Sequence, residues 1–109
     1  EAEEEKIHLL NLDDVTTAYC VLAEIFHGVD KIKHRGLVIS YFEKAIALME
    51  KYSMYRAYPY EKLAGYHMDS GEYPQALERA KQALKYHYGN MQAWRIYNDS
   101  LEMLKIAHG

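Results

Sequence analysis

At 109 residues, with half of them apolar and 27% charged, the chain has the size and balance of one globular domain with a core of its own. No apolar run approaches the roughly 18 residues of a membrane span, and the opening EAEEEK is the reverse of a basic signal-peptide start, which sets the expectation of no membrane partner and an intracellular, cytoplasmic or nuclear location. Of 16 acids and 13 bases, four Glu and one Lys lie in residues 1–6, so the rest balances twelve against twelve and lacks the basic excess by which nucleic-acid binders displace counterions.

In chain order, residues 1–11 read as a flexible acidic lead. DDVTTAYCVLAEIFH, 13–27, spaces Val15, Ala18, Tyr19, Leu22, Ile25 and Phe26 by threes and fours, the mark of one buried helix face. Asp13 or Asp14 can cap its start and Gly28 can end it. The only cysteine, Cys20, reads as a buried structural thiol and a weak pointer to a reducing compartment. After the polar stretch VDKIKHR, the run GLVISYFEKAIALMEKY forms a second helix with Val38, Tyr41, Phe42, Ala45, Leu48, Met49 and Tyr52 inward. The two prolines, Pro59 and Pro74, each follow a tyrosine and suit the first turns of two further helices, where a missing N–H costs nothing. These span about 59–69 and 74–88, joined by an Asp69-Ser70-Gly71 turn, the second stopped at Gly89. A fifth helix spans about 91–107, capped by Asn90. No stretch alternates like a strand, so the predicted class is all-α, about five helices in antiparallel hairpins.

Counted from Ala57, Tyr60, Leu63, Ala64, Gly71, Tyr73, Ala76, Ala80 and Ala83 fall at positions 4, 7, 8, 15, 17, 20, 24 and 27 of a 34-residue unit. This pattern resembles the tetratricopeptide repeat (TPR), in which small residues at 8, 20 and 27 let two helices approach and large ones fill the gaps. Ala80 stands where a large residue is usual, and Tyr88 where a Pro is. The next unit starts at Met91, with Trp94 at its aromatic position 4, and YFEKAIAL resembles the second helix of an earlier unit. The resemblance implies a short right-handed solenoid: a single domain over 1–109 with helix pairs at 12–52 and 57–90 and a closing helix at 91–107. A start at Glu1 rather than Met is the further ground for expecting a segment of a larger protein. Within this frame, residues 41–77 are similar to the repeat region of the menin family of nuclear scaffolds, through Tyr58, Pro59, Tyr60, Leu63, Ala64, Gly65, Tyr66, His67, Ala76 and Leu77. That resemblance implies a tyrosine-lined pocket for a peptide of a chromatin regulator, with Tyr58 as a contact. Glu61 and Lys62 replace a Met and a Tyr of that family, and Ala80 its pocket Trp.

The repeat resemblance also implies which residues bind. Positions near 2, 5, 9 and 12 of each first helix line the concave face: Tyr58, Glu61, Gly65 and Met68, with Lys62 beside them, then Gln92, Arg95, Asp99 and Glu102. Mixed charge with an aromatic anchor suits a peptide or partner helix. A helical glycine costs about 1 kcal/mol against alanine, so Gly65 marks either a flat spot for a ligand backbone or room for a neighbouring helix. Most of the eleven tyrosines read as structural, with Tyr41, Tyr73 and Tyr97 assigned to the core. No catalytic residue or cofactor is expected: the sequence has no phosphate loop and no nucleophile–base set. His27, Asp30 and His34 have metal-ligand spacing, but the glycine and polar run around them favour a solvated helix end, and His67 reads as a packed, hydrogen-bonded core histidine. The leading reading is a non-enzymatic protein–protein interaction scaffold with a protein or peptide partner, monomeric or part of a larger chain. Two alternatives stand beside it, a bacterial TPR chaperone or peptide-sensing domain and a small hydrolase or metal protein with an unrecognised site.

Overall fold

The computed structural model describes the backbone of residues 2–29 and 34–108 and the side chains of 14–28 and 34–106. The described residues are all-α and form five helices: α1 Ala2–Val29, α2 Arg35–Tyr52, α3 Ala57–Asp69, α4 Tyr73–Tyr86 and α5 Met91–His108. Sequential helices pack as hairpins within two compact units, Glu1–Met54 and Tyr55–Gly109. The division falls in the short connection after α2, between the two expected helix pairs.

In the first unit the helix starts eleven residues earlier than expected. Residues 2–11 belong to α1, and Asp13 and Asp14 lie in its interior instead of capping it. The physical reason is composition: no Gly or Pro interrupts residues 2–27, Ala, Glu, Lys and Leu are strong helix formers, and acids suit the positive end of the helix dipole. The buried stripe is also not the expected one. Thr16, Cys20 and Ala23 are sealed against α2, while Ala18, Leu22 and Ile25 are exposed, Ile25 by 54%. α2 supplies the bulk on the other side through Val38, Phe42 and Met49, with Ala45, Ile46 and Leu48 also buried. Large side chains on α2 need small ones opposite if the helices are to approach closely, and this selects the Thr-Cys-Ala stripe over the greasier one. Tyr41 and Tyr52, expected inside, are half-buried. Tyr41 instead joins an aromatic edge, its ring 5.9 Å from Phe26 and 6.1 Å from Tyr19, with Lys44 Nζ 5.8 Å and 5.9 Å from the Tyr41 and Tyr19 rings.

α2 ends in a Schellman turn: the Met54 amide donates to the Met49 carbonyl (2.9 Å) and the Ser53 amide to the Glu50 carbonyl (3.4 Å). The residue in the left-handed conformation is Ser53, φ 54°, where glycine is the usual occupant.

The second unit repeats that device with glycine. After α3, Glu72 N donates to the His67 carbonyl (2.8 Å) and Gly71 N to the Met68 carbonyl (3.1 Å), with Gly71 at φ 75°. The turn is fastened by a side-chain pair, buried His67 donating through Nδ1 to Glu72 Oε1 at 2.7 Å. Pro59 and Pro74 lie in the first turns of α3 and α4, as expected from proline chemistry. α3 brings the bulk, Tyr60 and Leu63, and α4 brings Ala76, Ala80 and Ala83, each fully buried. Ala64, Ala76, Ala80 and Ile96 form one cluster joining α3, α4 and α5, with Met68 and Tyr97 packed on its rim. The tyrosines sealed in this unit are Tyr60 and Tyr66, whereas Tyr73 and Tyr97 are half-buried. α4 stops at Tyr86, two residues short of the expected Tyr88, and the Tyr88 carbonyl beyond it accepts a hydrogen bond from Trp94 Nε1 (2.7 Å).

Candidate functional site

α3 and α5 each pack on α4 and touch one another. Three contacts set their register. Asn90 Nδ2 donates to Glu61 Oε1 at 2.8 Å, Gly65 lies beneath Ile96, and Ser100 Oγ donates to Met68 Sδ at 3.5 Å. Sequence numbers rise together along both helices, from 61 to 68 and from 90 to 100, so the two run parallel and form a continuous two-helix face.

On this face the nine sequence-assigned residues separate into three settings. Gln92, Arg95, Asp99 and Glu102 are exposed along one side of α5, spaced by three, four and three. Tyr58, Glu61 and Lys62 are half-buried on the first turns of α3. The Tyr58 ring is flanked by two cations, with Lys62 Nζ 5.4 Å and Arg56 Cζ 5.7 Å from its centre. Such an arrangement orients the ring and leaves a positive rim around an apolar plate. Gly65 and Met68 lie in the seam. A Cβ built on Gly65 would stand 3.9 Å from Ile96 Cδ1, an ordinary contact distance, so an alanine would fit beneath α5. Ile96 is therefore a neighbour of Gly65, but α5 does not need the room a glycine leaves.

Asn90 does more than the sequence suggested. Its Oδ1 accepts from the Ala93 amide at 3.0 Å, the expected N-cap, while its Nδ2 holds Glu61. One amide thereby starts α5 and ties that start to α3. A capping signal was readable at Asn90; its partner twenty-nine residues away had no local signal. Arg56, just ahead of α3, was missed because its place beside Tyr58 depends on where the helix begins.

Among the described residues no group of three or more His, Cys, Asp or Glu is placed to hold a metal ion. In the His27, Asp30 and His34 set, Asp30 lies outside the described residues, and His34 packs against Phe26, ring centres 5.2 Å apart. No described helix is long and apolar enough to cross a membrane. Comparisons with protein-family models, with curated protein sequences and with solved structures return no match for this chain.

Proposed function

We propose that the chain is a TPR-like interaction module that binds an extended peptide or a partner helix along the α3–α5 face. The observation that carries this reading is the pair of parallel rows, one with a cation-flanked tyrosine and a carboxylate, the other fully exposed with Arg95 followed by Asp99 and Glu102. An aromatic plate gives a ligand side chain apolar area at low entropic cost, and charges of both signs fix its direction and register. Supporting the repeat reading, α3 and α5 begin at Ala57 and Met91, 34 residues apart, and positions 4, 7, 8, 20, 24 and 27 of the unit are buried. The menin-like reading rests on Tyr58 and its neighbours, and it makes an intracellular peptide of a chromatin regulator the first ligand class to try.

The test is selection of peptides from a display library on the intact chain, followed by calorimetry with variants. Tyr58→Ala is expected to weaken a selected peptide by about thirtyfold or more, the usual cost of removing an aromatic anchor. Arg95→Glu is expected to weaken it less and to change its salt dependence, with melting curves nearly unchanged in both. Peptides that bind wild type and both variants equally would overturn the assignment to this face.

A further inference from the structure

A second face of α5 comes into view when α3 and α5 are aligned at their starts, 34 residues apart. Ala57, Tyr60, Ala64 and His67 on α3 then match Met91, Trp94, Asn98 and Leu101 on α5. The α3 set is buried throughout, and α4 is what covers it: Tyr60 stacks on Tyr86 with centres 5.7 Å apart, Ala64 clusters with Ala76 and Ala80, and His67 pairs with Glu72. The α5 set has no such cover. Met91 is 80% exposed, Asn98 is exposed, and Trp94 and Leu101 are half-exposed. Beside them Tyr88, 75% exposed, stands edge-on to Trp94 at 5.4 Å. This face continues an interface already made, because Tyr97, 5.5 Å from the Trp94 ring, packs on the Ala64–Ala76–Ala80–Ile96 cluster where α4 meets α5.

We propose that the Met91–Trp94–Asn98–Leu101 face docks an amphipathic helix of a partner, one with small residues at i, i+4 and i+7, laid on α5 as α4 lies on α3. The chemistry of the occupant follows from the covered copy of the face. The buried side of α4, which packs on α3, carries three alanines, Ala76, Ala80 and Ala83, at that spacing, with Tyr86 stacked on Tyr60 at its end. A Trp in place of the Tyr requires a partner surface at least as shallow. Asn98 in place of Ala64 calls for a hydrogen-bonding side chain opposite it, since a buried amide left unpaired is costly. This site is separate from the Tyr58 face and stands or falls without it.

The probe is a peptide with the sequence of residues 72–87 carrying Ala80→Ser, so that a small hydroxyl faces Asn98 where Ala80 meets Ala64, acetylated and amidated, and titrated into the intact protein. Trp94 is the only tryptophan of the chain, so its emission reports the face directly. The expected result is a saturable blue shift. Met91→Glu, at a position exposed enough to leave folding intact, should weaken the peptide at least tenfold, and so should glutamate in place of Ala76 and Ala83 within the peptide. The Tyr58→Ala variant should bind the peptide as wild type does. No saturable shift up to about 1 mM, the weak limit of specific association, or a shift indifferent to Met91→Glu, would overturn the proposal. So would a homodimer, seen by sedimentation, that Met91→Glu dissolves, because the occupant would then be a second copy.

Discussion

The two hairpins solve one packing problem with opposite assignments. In α1–α2 the first helix is shallow, with Thr16, Cys20 and Ala23, and the second carries the bulk in Val38, Phe42 and Met49. In α3–α4 the first helix carries Tyr60 and Leu63 and the second is shallow, with Ala76, Ala80 and Ala83. Either order closes a hairpin, because ridge volume must only be complementary across the crossing. The difference teaches that hydrophobicity and burial are separate properties of a helix face. α1 buries a threonine and exposes Ile25, and the side chains buried on α4 are three alanines and Leu84, with Tyr86 half-buried against Tyr60.

The sharpest way to break this comparison is to delete the bulk on one side. Phe42→Ala should cost about 3–5 kcal/mol, since the cavity would face small residues that cannot fill it. Ile25→Ala, on the stripe that looked inward by sequence, should stay within about 0.5 kcal/mol. Urea melts of the two variants decide which face of α1 is the packed one, and equal losses would mean that Ile25 is covered. The second test fills the shallow side instead. Ala76→Leu and Ala80→Leu should each destabilise by about 1–3 kcal/mol through overpacking, whereas Ala18→Leu on exposed α1 should be nearly neutral in the same thermal melt. The smallest test compares the turns that close α2 and α3. Gly71→Ala should lose about 1 kcal/mol, and Ser53→Gly should gain up to about 1 kcal/mol, because both positions hold a left-handed backbone and only one has the residue suited to it. If Ser53→Gly destabilised the chain, a side-chain role for Ser53 would have to be found.

The second unit was the more legible, for reasons visible in its residues. Pro59, Gly71, Pro74 and Asn90 each mark an element end by local chemistry that no distant contact overrides. The spacing of Tyr60, Leu63, Ala64, Ala76, Ala80 and Ala83 was read as buried and is buried. The first unit lacked such punctuation. Nothing before Gly28 stops a helix, so the start was set at the first capping type, Asp13, when the chain was already helical there. Its inward face was then assigned by the largest apolar residues, although α2 required the smallest. On the candidate site, the α5 row came from the positions that the repeat resemblance implies, and its residues are exposed. The Glu61–Asn90 bond and the Ile96 contact over Gly65 depend on the relative placement of two helices, which no local pattern encodes.

Cys20 lies at the centre of the shallow stripe of α1, fully buried, and it is the only thiol in the chain. A sealed thiol reacts with an alkylating reagent only when the structure around it opens. Its labelling rate therefore times the parting of α1 from α2. Mass spectrometry of the alkylated fraction against time would give the opening free energy of the first unit at a native temperature, without denaturant and without a mutation.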